Sequence, residues 1–509
     1  MKPVRDLLKH SSVYLIGQIL TRMTSVLLLP FYTHELSTAD YGVVGILDLT
    51  CAILSTFIAG GMISAVTRHH FDGDDESHHD GVWWTGLTMV FSVATIIAAP
   101  MILGRQLLSD VTLGAEITQG PWFYLLAIGT MWFTVIGMIL DSYLRVLKRS
   151  GTFVVISLGR LITNITLNVW LIAGLNMGVE GLLVGNLTAT VLHTTVLMAV
   201  FVTTRGRFTI DREIGVHMAK FAAPLVVTAL SSMLMHEADR YFLRIWETMS
   251  EVGIYSFAHK IGFAVNTLCL LPFISIWHVA IYDIERMPNS DKTFGSMFGW
   301  FSSGLGILLL GASLCVHPVL PMLTPEAYGK AMDLISVVLL GFYVFGLSFM
   351  FEVPSLLSKN TKLMVPGAIA GLVVNVLANV MLIPLMGSWG AAWAGVLTYA
   401  TYSFTTLAFC RTEMKFPYPW GRFVLSTSAL AGTYLVLRYL CFPAMNPWVQ
   451  IAASVVVCGT WTAILFGKEG LDFAVAKIKS RRTAQQTSEL TDDESQSDAL
   501  PAEELVGAS

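Results

Sequence analysis

Long apolar runs separated by short polar segments extend over most of the chain. Each run has roughly 18 to 25 residues, the length that an α-helix rising ~1.5 Å per residue needs to cross ~30 Å of hydrocarbon. A transmembrane β-strand would instead give about ten residues of alternating hydrophobicity. The pattern therefore predicts fourteen transmembrane helices, at residues 12–33, 42–67, 82–103, 121–144, 152–175, 180–204, 217–245, 253–282, 293–317, 332–353, 363–386, 391–411, 422–442 and 448–466.

The composition indicates the same class of protein. Of the 509 residues, 54% are apolar and 13% are charged, whereas soluble domains carry roughly 25% charged residues. The net charge of -4 does not identify a partner, because the acidic segment 488–509 offsets bases elsewhere. The six cysteines lie in or beside apolar runs without paired spacing, so we expect them to pack as small apolar side chains.

The distribution of basic residues predicts the orientation in the membrane. Lys and Arg concentrate in alternate loops and in residues 468–482, whereas the opposite loops hold only Arg105 and Lys330. Under the positive-inside rule both termini are cytoplasmic. The first apolar run has no small-residue cleavage site after it, which favours an uncleaved helix over a signal peptide. We therefore expect a multi-pass protein of the inner (plasma) membrane.

The chain also contains an internal repeat, because residues 211 positions apart match across distant landmarks. A register held over so long a stretch indicates a duplication. A two-residue gap follows, after which the segment 178–181 aligns with 387–390. The matched pairs are Ser37 with Thr248, Gly42 with Gly253, Asp141 with Glu352, Lys148 with Lys359, Asn164 with Asn375, and Asn168 with Asn379.

The repeat predicts an all-α polytopic fold with two pseudo-symmetric lobes. We assign residues 1–211 to an N-lobe of six spans, 212–415 to a C-lobe of six spans, and 416–466 to an added helix pair. The polar residues from 467 to 509 should form a disordered cytoplasmic tail. Two copies of equal topology enclose a cleft that can open alternately to either side, which is the geometry of a transporter.

A few ionisable residues interrupt the predicted spans. A charge at the bilayer centre costs about 2.5 to 3.5 kcal/mol, so these residues should face protein or water. Most of them are basic, which indicates a hydrated cleft that accepts an anion, although any one of them could equally form a structural ion pair. The anion-binding candidates are Arg22, Arg160, Arg240 and Lys260, and the ion-coupling or gating candidates are Asp48, Asp239 and His259.

The repeat helps to sort the charged residues. Groups that recur in both lobes, such as Asp141 and Glu352, should serve the shared scaffold. Asp48 instead maps onto His259, next to Lys260, which places an acid and a basic pair at similar depth on opposite walls. We expect a closing contact or a coupling-ion site there.

Other chemistry is not expected. The segment RHHFDGDDESHHD at 68–80 contains four His, but we read it as a solvated cytoplasmic loop without a metal ion. We expect His236 and Glu237 to be packing or interfacial neighbours rather than ligands. The chain contains no GxxxxGK[ST] phosphate loop, and its longest external loops are short and lack paired carboxylates. The sequence thus predicts a non-enzyme with no catalytic residues, no cofactor and no nucleic-acid partner.

Three stretches carry a resemblance to a known family. They are SSVYLIGQILTRMTSVLLLPFYTHELSTADYGVVGIL, FAAPLVVTALSSMLMHEADRYFLRIWETMSEVGIYSFAHKIG and NVLANVMLIPLMGSWGAAWAGVLTYATYSF. Together they resemble the polysaccharide-transporter branch of the multidrug/oligosaccharidyl-lipid/polysaccharide (MOP, MATE-like) exporter superfamily, over residues 11 to about 466. This branch contains the Wzx-type flippases of O-antigen and exopolysaccharide repeat units.

The resemblance implies a V-shaped fold whose helices 1, 2, 7 and 8 line the cleft. It also implies translocation of a polyprenyl-diphosphate-linked oligosaccharide for polysaccharide or lipopolysaccharide synthesis, with membrane lipids and the polymerase machinery as partners. Cationic residues on helices 1 and 8 bind the diphosphate in such flippases, and Arg22 and Lys260 match them. Asp239 and Arg240 match the recurrent Asp-Arg of helix 7.

Two alternatives share this fold. A MATE-type drug or organic-cation antiporter should present acids to the cleft, whereas the candidates here are chiefly basic. A flippase of lipid-linked peptidoglycan precursors carries the same polyprenyl-diphosphate handle, so charge alone does not separate it from a polysaccharide flippase.

The pairing across the cleft gives a first prediction. Neutralising Asp48 and Lys260 together, as Asp48→Asn with Lys260→Met, should change both the transport rate and its dependence on ions. Transport assays in vesicles with and without ion gradients measure both properties. An unchanged rate with unchanged ion dependence would exclude a closing contact or coupling site at these residues.

Overall fold

The computed structural model describes residues 28–73, 75–205 and 207–467, and within these ranges helices are the only regular secondary structure. The all-α fold that the sequence predicts is therefore confirmed. Arg22, most of the first predicted span and the predicted tail after residue 467 lie outside the described residues.

The first part of the described chain forms seven α-helices, the sixth of which ends in a π turn at Trp170–Gly174. They are α1 (Leu29–Glu35), α2 (Thr38–His70), α3 (Glu76–Leu103), α4 (Arg105–Thr112), α5 (Gly120–Val146), α6 (Ser150–Val169) and α7 (Gly178–Thr204).

The second part forms ten α-helices, and a π turn at Leu437–Cys441 follows the ninth of them. They are α8 (Arg212–Glu237), α9 (Asp239–Trp246), α10 (Met249–Glu285), α11 (Ser290–Leu323), α12 (Ala331–Phe351), α13 (Val353–Leu357), α14 (Val365–Met386), α15 (Ser388–Cys410), α16 (Trp420–Val436) and α17 (Pro447–Gly467).

Twelve helices of the described chain are long and apolar enough to cross a membrane. The predicted count of fourteen is thus approximate. The span predicted at 391–411 is the 23-residue helix α15, which is not among the twelve. The span predicted at 217–245 is divided at Ala238 into α8 and α9.

The internal repeat is visible in the local geometry of the two halves. Ser37 caps α2 in a capping box with Asp40, and Thr248, 211 positions later, caps α10 through a bond from the Glu251 amide. Such caps satisfy backbone N–H groups that the first helical turn leaves free. Lys148 and Lys359, which are also repeat mates, both adopt a left-handed backbone with φ 56°.

Equivalent polar pairs follow the same repeat. Asp141 lies 3.7 Å from Nε2 of His193 in one half, and Glu352 accepts a 2.9 Å bond from the Tyr402 hydroxyl in the other. These contacts agree with a scaffold role for the acids kept in both lobes. The two-residue gap in the alignment falls at the π turn Trp170–Gly174 and the loop that follows it.

The two repeats contact each other where α2 and α10 begin. A Cβ atom on Gly42 would collide with the carbonyl of Met249, and one on Gly253 would collide with the carbonyl of Thr38. These two glycines are repeat mates, so the pseudo-symmetry axis passes between them. Thr38 Oγ1 and Ser250 Oγ share a 2.7 Å hydrogen bond at the same crossing.

At its other end, α2 packs against α8. Gly61 allows α2 to approach the backbone of Ala222. The guanidinium of Arg68 stands 5.2 Å from the ring centre of Phe221. α2 therefore contacts the second half of the chain near both of its ends. The residue boundaries assigned to the lobes stay a prediction.

The added pair α16 and α17 forms a small apolar cluster of its own with α11, built on Leu310, Leu314, Leu430 and Phe442. An ion pair also holds α16 to the main body, because Arg438 Nη2 lies 3.1 Å from Asp333 on α12. The pair is thus attached to the side of the C-terminal repeat.

The glycine crossing gives a prediction for stability. Gly253→Leu should destabilise the protein by about 1–3 kcal/mol, the usual cost of overpacking, because the side chain has no space beside Thr38. Gly432→Leu is the matched control, because Gly432 has open space around it. Thermal unfolding in detergent compares them. Equal midpoints for the two variants would contradict a tight crossing.

Candidate functional site

A cavity of about 210 Å³ lies between α2, α10 and the break that separates α8 from α9. Its lining combines apolar, aromatic and charged side chains from both halves of the chain. The lining residues are Tyr41, Val44, Gly45, Asp48, Leu49, Ala52, Glu237, Arg240, Ser256, His259, Lys260 and Phe263.

Helical spacing explains why these side chains share one space. Gly45, Asp48 and Ala52 follow one another at three or four residues along α2 and so lie on one face. Ser256, Lys260 and Phe263 repeat this spacing on α10. Because α2 and α10 are repeat mates, the two stripes face each other across the cavity.

The cavity contains two acids and two cations among its described residues. Arg240 Nη2 forms a 2.9 Å ion pair with Glu237 Oε2, and it also donates to His259 Nδ1 over 3.2 Å. Lys260 Nζ lies 5.8 Å from the ring centre of Tyr41. The Asp48 side chain is exposed to the cavity. The described lining is therefore charge-balanced, whereas the sequence led us to expect a predominantly basic one.

Glu237 corrects a second expectation. We expected it to be a packing or interfacial neighbour, but it lines the cavity and pairs with Arg240. The spacing of three residues between an acid and an arginine was the signal in the sequence. His236 does not line the cavity, and its Nδ1 instead shares a 2.7 Å bond with the Tyr399 hydroxyl.

Asp239 lies behind the cavity rather than in its lining, and it is only 3% exposed. Its carboxylate accepts hydrogen bonds from Tyr255 at 2.9 Å, from Asn375 at 3.1 Å and from Asn379 at 2.8 Å. The side-chain oxygens of both asparagines are buried and have no hydrogen-bond partner among the described residues.

His259 stands between this buried cluster and the cavity. It lines the cavity of about 210 Å³ and also a small void of about 10 Å³ that touches Asp239, Tyr255 and Tyr399. The side chain is 4% exposed. Arg240 and His259 are therefore the groups through which a change at Asp239 can reach the cavity.

The remaining two candidates are not part of the described lining. Arg160 donates a 3.4 Å bond to Thr190 on α7 and does not line the cavity. Arg22 lies outside the described residues. The structure thus brings five of the seven candidates, Asp48, Asp239, Arg240, His259 and Lys260, to one region between the two halves.

Most described residues of the histidine-rich segment 68–80 are exposed or half-buried, as the sequence led us to expect, and His70 is the one buried histidine among its four. His70 is buried at the end of α2, accepts a 3.1 Å bond from Trp83 Nε1 and stacks on His79 with ring centres 4.1 Å apart. Nearby, Arg205 pairs with Glu76 and Asp80. Among the described residues no group of three metal-ligating side chains has a suitable arrangement.

Interlobe contacts also close the end of the molecule at which α2 and α10 begin. Arg244 Nη2 donates to the carbonyl of Leu113 at 2.6 Å and to Glu116 at 2.9 Å. A backbone hydrogen bond and this arginine lower the pKa of the Glu116 carboxyl. The Tyr328 hydroxyl lies 3.4 Å from the carbonyls of Leu36 and Ser37.

Comparison with known proteins adds a family and a fold. The family model described as "Polysaccharide biosynthesis protein" matches residues 7–277, somewhat more than half of the chain. No curated protein matches significantly.

Among solved structures, the chain is similar to a lipid II flippase MurJ in an inward closed conformation, with a TM-score of 0.74 and 13% identity over 91% of this chain and 99% of that one. It is also similar to an inward-facing multidrug resistance MATE transporter of the MOP superfamily, with a TM-score of 0.59 and 12% identity over 81% of this chain and 96% of that one. A third similar structure is a MOP superfamily transporter from Pyrococcus furiosus, described as having a binding pocket of reverse polarity. Its TM-score is 0.51, with 14% identity over 84% of this chain and 96% of that one. These similarities establish the fold.

Proposed function

The chain belongs to the polysaccharide biosynthesis protein family, and on that premise we propose that it is a flippase. Its substrate would be a polyprenyl-diphosphate-linked oligosaccharide, moved across the inner membrane from the cytoplasmic leaflet by alternating access. The MOP-exporter fold with a cavity between two repeats supports this proposal. Both termini would be cytoplasmic, and the polysaccharide polymerase machinery would receive the product.

One observation carries the substrate assignment: Arg240 and Lys260 enter the same interlobe cavity from different helices. Arg240 uses Nη2 for its contacts, while its Nε is buried without a hydrogen-bond partner among the described residues. A guanidinium offers two parallel donors to a phosphate group, and a lysine adds a mobile point charge. We propose that both cations hold the diphosphate, joined by Arg22 from the first helix.

The membrane potential can drive this movement. A diphosphate with about two negative charges that moves outward gains roughly 4 to 5 kcal/mol at 100 mV, interior negative, since each charge contributes ~2.3 kcal/mol. The absence of a phosphate loop from the sequence agrees with a flippase that does not hydrolyse ATP.

The substrate proposal is tested by neutralising the cavity cations. Arg240→Gln and Lys260→Gln should each lower the flipping rate of a fluorescent polyprenyl diphosphate in proteoliposomes about 10- to 100-fold, because each removes a charged hydrogen bond of ~1.5–3 kcal/mol. Arg438→Gln is the control, since Arg438 lies on the added helix pair and contacts Asp333. If all three variants flip at the wild-type rate, the cavity does not bind the diphosphate.

We further propose Asp239 as the ion-coupling residue, with His259 and Arg240 linking it to the cavity and with Asp48 as a gating residue in the cavity wall. The corresponding network of the N-terminal repeat contains Asn164 and Asn168 but has Leu28 in place of the acid. Among the described residues, only the C-terminal network therefore carries a buried carboxylate. The amide N–H groups of Asn375 and Asn379 face this carboxylate, and their side-chain oxygens have no partner among the described residues. If the two amides turned, these oxygens and the carboxylate would supply hard ligands of the kind that small cations prefer.

The coupling proposal is tested by Asp239→Asn, which keeps the shape and removes the charge. Flipping by this variant should no longer respond to a sodium or proton gradient, while the response to membrane potential persists. Asp141→Asn is the matched control, because Asp141 is a half-buried acid that contacts His193 within the first half. The measurement is the flipping rate of each variant in proteoliposomes with and without a sodium or proton gradient. A gradient response that persists in Asp239→Asn would refute coupling at this residue.

Asp48 and Glu237 support one competing function, because acids in the cavity suit an organic-cation antiporter. The same proteoliposomes discriminate the two: an antiporter would exchange ethidium for protons or sodium and ignore the lipid diphosphate. A flippase for peptidoglycan precursors would flip lipids that carry a peptide and reject those that carry only an oligosaccharide.

A further inference from the structure

We infer that Glu237 is a resident counter-ion for the substrate site. It neutralises Arg240 while the cavity is empty, and an anionic headgroup has to displace it in order to bind. This inference rests on the proposed function and specifies how that same site exchanges its ligand. Glu237 would thus determine the balance between substrate affinity and release.

The first support is the charge balance of the cavity. Arg240 is 11% exposed and Glu237 is 24% exposed, so the arginine is the deeper partner and the acid lies nearer the open space. Leaving a buried arginine without a counter-charge is strongly unfavourable. In the absence of an anionic ligand, Glu237 is the acid that pairs with it.

The second support is that Glu237 occupies a donor of the guanidinium that an anion in the cavity would use. Glu237 contacts Nη2, which is also the atom that bonds His259. The Nε atom has no hydrogen-bond partner among the described residues. The Nε atom is also buried, so it is not accessible from the cavity. A diphosphate in the cavity therefore competes with Glu237 for the outer end of the guanidinium.

The third support is the position of the pair on the chain. Glu237 is the last residue of α8 and Arg240 is the second residue of α9, with the helix break at Ala238 between them. A rotation of α8 relative to α9 changes the distance between the two side chains. The Glu237–Arg240 ion pair can therefore re-form when α8 and α9 rotate during the conformational change that releases the substrate.

These features predict opposite effects on binding and turnover. An acid that competes for Arg240 weakens the binding of the headgroup and accelerates its release. Removing its charge should raise affinity and slow the transport cycle. A purely structural ion pair would instead lower both affinity and turnover when broken, because Arg240 would lose its orientation.

The binding arm uses inorganic pyrophosphate as the probe on detergent-solubilised full-length protein. Glu237→Gln should bind pyrophosphate about tenfold more tightly than wild type, which corresponds to ~1.4 kcal/mol. Glu251→Gln is the matched control, because Glu251 carries the same charge on α10 but pairs with Lys330 and does not line the cavity. It should raise affinity at most two- to threefold. An equal gain in pyrophosphate affinity in the two variants would mean that any lost negative charge has this effect, and it would overturn the inference.

A second binding experiment tests whether the effect of Glu237 on pyrophosphate affinity depends on Arg240. In the background of Arg240→Gln, adding Glu237→Gln should give no further gain in pyrophosphate affinity, because the guanidinium for which Glu237 and pyrophosphate compete is then absent. Glu237→Asp should keep a wild-type affinity, since it preserves the charge. A tenfold gain that persists without Arg240 would contradict counter-ion exchange.

The transport arm measures flipping of a fluorescent polyprenyl diphosphate in proteoliposomes. Glu237→Gln should lower the KM and lower the kcat, each by about tenfold. Loss of affinity together with loss of rate would refute the inference while leaving the flippase proposal intact. No flipping by the wild type would refute the flippase proposal, and the pyrophosphate arm would still test the role of Glu237.

Discussion

The cost of placing charge in hydrocarbon governs this structure. An unpaired ionisable group within the bilayer costs several kcal/mol, so each one has to be paired, hydrogen-bonded or exposed to a hydrated space. Asp239 is satisfied by three side-chain donors, Arg240 by Glu237 and His259, and Asp48 by the open cavity. These three charges therefore lie together between the two repeats, where the proposed substrate path lies.

Duplication supplies the frame that brings these charges together. Repeat mates occupy equivalent positions, as the caps at Ser37 and Thr248 and the left-handed Lys148 and Lys359 demonstrate. Function then requires the repeats to differ. The asparagine networks of the two halves are alike, but within the described part of the chain only the C-terminal one contains a carboxylate. We propose that this asymmetry allows the C-terminal half to bind a coupling ion, whereas the N-terminal half is its structural counterpart.

Much of the site could be predicted because intramembrane charge is rare and the repeat aligns the helices. Asp48 and Lys260 were placed on facing walls from the offset alone, and both line the cavity. Arg160 looked similar in sequence, yet it lies on a face that contacts Thr190. A helical wheel gives the angle between side chains but not the neighbour that each face meets. The charge balance of the cavity was missed for the same reason, because the sequence does not give the space that the Glu237 side chain faces.

The sequence by itself determined the helical class, the approximate spans and the duplication, because hydrocarbon thickness and a repeated register leave their mark on residue order. Only the tertiary structure decided which charges share a space. It divided the predicted seventh span at Ala238, moved Asp239 behind the cavity and brought Glu237 into it. These placements depend on helix rotation and on contacts between residues far apart in the chain, and the linear pattern of polar positions contains neither.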